Sequence, residues 1–235
     1  GEYDRHTAAL WMRRLGPLGR LVGLVSPSPN TRRGDKLGRL SSAGASCDYR
    51  ELRTVFTRRQ LSRLAPDLML PERRGWPARP WDDDFATYLP DDLLRKADGA
   101  SMSVALELRA PLLDSTIVRR AQATPAEMLR RGGRPKGLLR QLAAELLPLR
   151  AHRRPKRGFA APVGTWFRTD FGGLRTLLLD ATGAVDAFPA DFLGVELSRS
   201  EIVRIRDAHL GGKEDHSQRL FALLVLALWC RQSRP

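Results

Sequence analysis

The sequence predicts a mainly α-helical protein. Three observations carry that prediction: apolar residues recur at three- and four-residue spacing over most of the chain, two Ser/Thr-x-x-Glu capping boxes mark helix starts, and strand signals shrink to one short stretch. With 235 residues, 42% of them hydrophobic, the chain has enough apolar material to bury a core in one large domain or two small ones.

Residues 7 to 25 place Leu10, Leu15, Leu18, Leu21, Val22 and Val25 at helical spacings, broken at Gly16-Pro17, where a proline kinks or restarts a helix. Two short helices are expected there. Residues 26–48 mix Ser, Gly and Pro with scattered charge and no period, so they read as a low-complexity loop. The SSAGAS within it follows no strand and lacks the glycine pair and acid of a phosphate-cradling loop. A helix is expected to start near Pro90-Asp91, with the carboxylates of Asp91 and Asp92 facing its first-turn N–H groups. WDDDF, just ahead of it, reads as a solvated acidic loop, because three consecutive side chains cannot converge on one ion.

The one stretch with strand character is VALELR, residues 104–109. Pro111 pushes Ala110 into an extended conformation, and in an extended chain Glu107 and Arg109 point one way while Leu106 and Leu108 point into the core. Thr124-Pro-Ala-Glu127 and Ser198-Arg-Ser-Glu201 are the capping boxes. Pro135 fits a first helical turn, and Leu138, Leu139, Leu142, Ala143 and Leu146 then form one apolar face that ends at Pro148. The last helix, from about Ser217 to Cys230, is apolar on nearly every face and should be the most buried element.

Lys and Arg number 40 against 26 Asp and Glu, a net charge of +14 that favours acidic partners, although surface drift toward arginine gives the same sum. A basic helical nucleic-acid-binding protein is disfavoured: the aromatics are not interleaved with basic residues, and no DNA- or RNA-binding motif occurs. Cys47 and Cys230 have no partner at metal-ligand spacing, and His6, His152, His209 and His216 form no His-x-His or His-x-x-x-His pair, so no metal site is expected. Two free thiols suggest the cytoplasm. The longest apolar run, Leu220 to Cys230, falls well short of the roughly 20 residues of a membrane span. No signal peptide opens the chain, and Gly1 reads as the edge of something longer.

Two constellations could carry chemistry. KADGASMSVALELRAPLLD, residues 96–114, packs Lys96, Asp98, Glu107, Arg109 and Asp114 around small residues. A guanidinium fixed beside a carboxylate can grip a substrate carboxylate or phosphate in bidentate fashion, or it can simply pin a loop as an internal ion pair. In HRRPKRGFAAPVG, residues 152–164, Pro155 stiffens the approach, Gly158 permits a tight bend and Lys156 presents a compact ammonium suited to charge growing on phosphate oxygens. A solvated basic loop is the plain alternative.

Four blocks, YLPDDLLRKADGASMSVALELRAPLLD (88–114), GGRPKGLLRQLAAELLP (132–148), RRPKRGFAAPVGTWF (153–167) and HSQRLFALLVLALW (216–229), together resemble the C-terminal part of the glutamine-hydrolysing asparagine synthetase family. They stand in the family's order, and GEYDRH at the start resembles its Gly-Gly-Tyr-x-Arg-Tyr segment. The likeness is weakest from about 26 to 80. It implies that residues 1–235 are the helical C-terminal portion of an α/β synthetase domain of the adenine-nucleotide-hydrolase-like (ATP pyrophosphatase) type. In that family a glutaminase domain with a terminal cysteine nucleophile supplies ammonia, and Mg-ATP adenylates aspartate before ammonia displaces AMP to give asparagine. By resemblance Lys156 stabilises charge on pyrophosphate and in the transition state, with Gly158 and Phe159 shaping its loop. Arg109 approaches aspartate or phosphate, Glu107 and Asp114 orient it, and Asp98 belongs to the same substrate- or nucleotide-binding set.

The sequence also departs from the family pattern. The Ser-Gly-Gly-x-Asp-Ser nucleotide loop, the Gly-x-Gly-x-Asp-Glu segment and the glutaminase cysteine are absent from these residues, so ATP and Mg2+ would be bound mainly by upstream segments. Gly99 stands where an arginine is usual, and Leu112 replaces a phenylalanine. Relatives that close β-lactam rings or macrocyclic peptides through the same acyl-adenylate chemistry are the alternative, since Gly99 leaves room for a bulkier acid. The implied partners are small molecules and the upstream synthetase and glutaminase segments, with a homodimer compatible and no membrane. Removing one layer of a layered fold would leave apolar surface exposed.

Overall fold

A computed structural model of the chain describes residues 2–16, 18, 20–21, 32–72, 75–131, 136–148 and 161–233. Lys156, Gly158, Phe159 and Pro135 lie outside the described residues, as does the first part of the 26–48 stretch. Among the described residues all regular structure is helical, and the protein is mainly α. The chain divides into two compact units, one of residues 1–10 and 77–159, the other of residues 11–76 and 160–235. Helix α1, Glu2–Leu15, contributes to both and stops at Gly16-Pro17, where the sequence predicts a break.

The second unit owns the apolar core. After α2 (Arg32–Ser46) and a 3-10 turn over Tyr49–Leu52, α3 (Arg58–Leu64) begins at a full capping box: the Gln60 N–H donates to Thr57 Oγ1 and the Thr57 N–H to Gln60 Oε1. Far along the chain follow α9 (Val163–Thr169), α10 (Leu174–Gly183), α11 (Ala190–Leu193), α12 (Arg199–Leu210) and α13 (Ser217–Ser233). Phe167, Leu178, Ala181, Ile205, Leu220, Leu224 and Ala227 interlock from α9, α10, α12 and α13. Each large aliphatic among them contributes about 1.5–3 kcal/mol by burial.

The helix over 32–46 corrects the reading of 26–48 as a loop. Ser and Gly are weak helix formers whose hydroxyl and backbone freedom hide the period. Tertiary contacts restore it: Ala43 is fully buried, Ser42 Oγ donates to the buried carboxylate of Glu51 at 2.6 Å, and Ser46 Oγ returns to the Ser42 carbonyl. Glu51 also accepts the Arg58 N–H, so this buried charge is hydrogen-bonded on two sides. Helix α13 is as long and central as expected, but only one face is buried. Leu220, Leu223, Leu224, Ala227 and Cys230 point inward, while Phe221, Val225 and Trp229 are half exposed.

The first unit contains α4 (Pro80–Ala86), a π-helical turn over Leu89–Leu94, α5 (Arg95–Met102), α6 (Ser115–Ala123), α7 (Ala126–Leu129) and α8 (Gly137–Leu146). WDDDF is therefore helical, not a loop. Pro80 starts it at the first turn, where a missing N–H costs nothing, and Asp82 and Asp83 lie in that turn. Helical structure already covers Pro90-Asp91, so the start expected there is an internal π turn. Gly137 is required by close approach, because a Cβ there would stand 2.3 Å from the Arg131 carbonyl oxygen. The apolar face of α8 forms as the spacing predicts, yet Leu138, Leu139, Leu142 and Leu146 are all exposed.

Candidate functional site

The stretch from Lys96 to Asp114 is built by successive local stops. Helix α5 ends when Ser101 turns its hydroxyl onto the Asp98 carbonyl and its own carbonyl accepts the Leu106 N–H. Ala105, at φ +54°, turns the chain out of the helix into residues 106–110, which are irregular rather than a strand. Pro111 then opens a single 3-10 turn, and Asp114 caps α6 by accepting the Thr116 and Ile117 N–H groups at 2.8 and 3.4 Å.

Glu107 and Arg109 do stand side by side, with Arg109 Nη2 at 2.5 Å from Glu107 Oε1. Their setting differs from the one expected. Leu106 and Leu108 are 60% and 54% exposed, so the alternation presents no leucine to a core, and the ion pair itself lies in solvent, 70% and 83% exposed. Such a pair stabilises the fold by about 1 kcal/mol at most. A substrate anion can displace its carboxylate at similarly small cost.

The other members of the constellation serve different neighbours. Lys96 pairs with Asp92 one turn back at 3.1 Å, and Asp114 is occupied as a helix cap. Asp98 lines an open depression of about 360 Å³ with Arg95, Leu94, Leu108 and Ala110. Arg95 and Asp98 carry opposite charge on an apolar floor, a chemistry suited to a small zwitterion or anion. A Cβ added at Gly99 would meet open space, so sterics do not impose the glycine.

Two polar clusters escaped sequence reasoning. In the first unit Asp84, buried despite the WDDDF context, accepts Arg5 Nη2 at 2.8 Å and faces His6 Nε2 at 2.6 Å, while Arg5 lies over the Tyr88 ring. Burial opposes ionisation of Asp84, but the His6 hydrogen bond and the Arg5 guanidinium outweigh it and hold the carboxyl below its usual range. In the second unit His209 and His216, scattered in sequence, meet across the turn between α12 and α13. The available signal was HLGGKEDH, in which a Gly-Gly turn brings residues seven apart together. Asp82 pairs with Arg79, and among the described residues no group of three or more His, Cys, Asp or Glu is placed to hold a metal ion.

The geometry is thus helical scaffolding with a guanidinium beside a carboxylate and, near them, an open depression lined by Leu94, Arg95, Asp98, Leu108 and Ala110. The chain belongs to the asparagine synthase family, whose family model matches residues 1–231. Proteins of Mycobacterium tuberculosis and Mycobacterium bovis, both provisionally named glutamine-hydrolyzing asparagine synthetases, are each 32% identical over 228 residues, covering 91% of this chain and 34% of theirs. The glutamine-hydrolyzing asparagine synthetase 1 of Bacillus subtilis is 27% identical over 147 residues, covering 62% of this chain and 22% of its own. The chain therefore spans about a third of the length of the mycobacterial relatives. No solved structure matches it significantly.

Proposed function

We propose that this chain is the C-terminal helical part of the synthetase domain of a cytosolic, ATP-dependent, glutamine-hydrolysing asparagine synthetase. The observation that carries the proposal is the family match over residues 1–231, within which the Arg-Pro-Lys stretch of Lys156 and the Glu107–Arg109 pair both fall. ATP supplies the adenylate that activates the aspartate carboxyl, and Mg-ATP is held mainly by further segments of an α/β domain. Lys156 stabilises negative charge on the departing pyrophosphate, and Gly158 and Phe159 shape its loop. Arg109 exchanges Glu107 for an anionic group of substrate, Asp98 lines the adjoining depression, and Asp114 holds the position of the segment by capping α6.

The test is pyrophosphate release from Mg-ATP with aspartate and ammonia, using the full-length protein encoded by the gene. Lys156→Ala should lower kcat by about 10²–10³-fold, the range for removing one transition-state charge partner, with the thermal midpoint unchanged. Arg109→Ala should instead raise KM for aspartate or ATP by about 10- to 100-fold, the value of a charge-assisted hydrogen bond. Full activity in Lys156→Ala would return that residue to a solvated basic loop. The open space beside Gly99 favours a second reading, a synthetase that adenylates a bulkier acid to close a β-lactam or macrocycle. Pyrophosphate release with another carboxylic acid and none with aspartate would establish it.

A further inference from the structure

The junction of α9, α12 and α13 holds two buried imidazoles whose hydrogen-bond partners fix their protonation. His209 is fully buried. Its Nε2 lies 3.1 Å from the Gly164 carbonyl oxygen, which can only accept, so Nε2 carries the hydrogen. Its Nδ1 faces two groups that can only donate, the His216 backbone N–H at 3.1 Å and Arg168 Nη2 at 3.3 Å. His216 is alike at Nδ1, which accepts Arg219 Nη1 at 2.9 Å; its Nε2 stands 2.7 Å from Glu214 Oε2, an ion-pair distance without hydrogen-bond alignment. The tautomer of each ring is thus assigned by its partners. These partners suit neutral rings with hydrogen on Nε2.

The packing leaves little room for adjustment. A Cβ on Gly164 would stand 3.3 Å from His209 Cε1 and 3.2 Å from Ser217 Cβ, so α9 approaches α13 through a position that only glycine fills without a shift. Arg168 Nε also donates to the His209 carbonyl and its Nη2 reaches the Glu214 carbonyl, which ties α9 to the turn a second time. Charged groups surround the pair on every element. Arg168 and Asp215, the latter 3.7 Å from His209 Nδ1, face His209, while Arg219, Glu214, Arg204 and Glu201 surround His216 and Arg63 of α3 lies beyond Glu201.

We propose that His209 and His216 form a proton-sensitive clasp, closed only while both Nδ1 atoms are unprotonated, which pins the start of α9 to the turn over residues 211–216. A proton added at His209 Nδ1 sets an N–H against the His216 N–H and the Arg168 guanidinium, and at His216 Nδ1 against Arg219. The new N–H of His209 has Asp215 as its one carboxylate within reach, and Asp215 already accepts the Ser217 N–H at 3.1 Å. Proton uptake therefore trades two donors on the ring for one shared acceptor, and the clasp opens. Burial first, then Arg168 or Arg219, moves both imidazoles below the ordinary histidine value, in the direction this requires.

Long-range 15N–1H spectra of protein labelled at histidine should show His209 and His216 as neutral rings with hydrogen on Nε2 at pH 7.5. Hydrogen exchange at residues 161–169 and 209–217, corrected for intrinsic rates, should then lose protection by about tenfold per pH unit for each histidine below the ordinary value near 6.5. His209→Gln keeps an amide N–H for the Gly164 carbonyl and cannot take up a proton, so its exchange should lose one of those tenfold steps. Either ring found with hydrogen on Nδ1 or charged at neutral pH overturns the proposal. So does protection that stays constant down to pH 5.5, and the ring spectra decide the matter even if His209→Gln fails to fold.

Discussion

Single residues in this chain carry weight where a charge or a missing Cβ meets a crowded place. Asp84 is the clearest case of charge. Its folded pKa is depressed, so the stability it supplies is fully present above the ordinary carboxylate value and drains away as pH falls through the lowered one. Asp84→Asn, which removes the charge and leaves Arg5 and His6 facing an amide, should cost about 1–3 kcal/mol at pH 7 and less at pH 3, below the ordinary carboxylate value. Urea unfolding at the two pH values checks this, and an equal loss at both would assign the effect to shape alone. Gly164 is the clearest case of space. Gly164→Ala should cost about 1–3 kcal/mol as His209 and Ser217 give way, lowering the thermal midpoint by about 2–4 °C per kcal/mol in a chain of this size. A midpoint unchanged in Gly164→Ala would mean that the α9–α13 approach relaxes freely.

At the level of elements, the two Ser/Thr-x-x-Glu boxes look alike in sequence and behave differently. Ser198 does cap α12, its hydroxyl accepting the Glu201 N–H at 3.3 Å, while the Glu201 carboxylate turns to Arg204 instead of closing the box. Thr124 does not cap α7: it is the C-cap of α6, its hydroxyl donating to the Arg120 carbonyl, and Pro125 stands at the N-cap of α7. Ser198→Ala should therefore cost about 0.5–2 kcal/mol in a denaturant titration, and Thr124→Ala a few tenths. Equal losses would show that the motif, rather than its geometry, governs the helix start. The difference marks what was legible. Helices α8 and α13 were readable because leucines at helical spacing advertise a face, and the start of α12 because Ser198-x-x-Glu201 marks it. Helix α2 was hidden by Ser and Gly, α4 by a run of aspartates whose buried member depends on Arg5 and His6 about 80 residues away, and the 104–109 stretch was misjudged because alternation alone does not say whether a core is there to receive it. The adjacency of Glu107 and Arg109 followed from chain geometry and was found, whereas the histidine clasp depends on a turn between helices that no periodicity announces.

For the whole molecule, the two units differ in how they could stay folded. Residues 11–76 and 160–235 share an interlocked apolar core, whereas in residues 1–10 and 77–159 the buried apolar side chains among those described are Ala9 and Pro80. Leu106, Leu108, Leu138, Leu139, Leu142 and Leu146 all lie exposed in that unit, which is also the one that bears Arg109 and Asp98. Each would contribute about 1.5–3 kcal/mol if covered, more than any exposed ion pair beside it. The mycobacterial relatives are about three times as long as this chain, and the proposed placement within a longer synthetase predicts that further chain covers these faces. The 235-residue chain alone should therefore bind an apolar dye and associate with itself, and replacing Leu138, Leu142 and Leu146 together by Gln should reduce both, as read by dye fluorescence and light scattering. The same triple substitution in the full-length protein should destabilise it, since there the face would be buried. A triple variant that is neutral in the full-length protein, together with a monomeric and dye-silent parent chain, would show that the α8 face is solvated by design and that the site unit holds together without a cover.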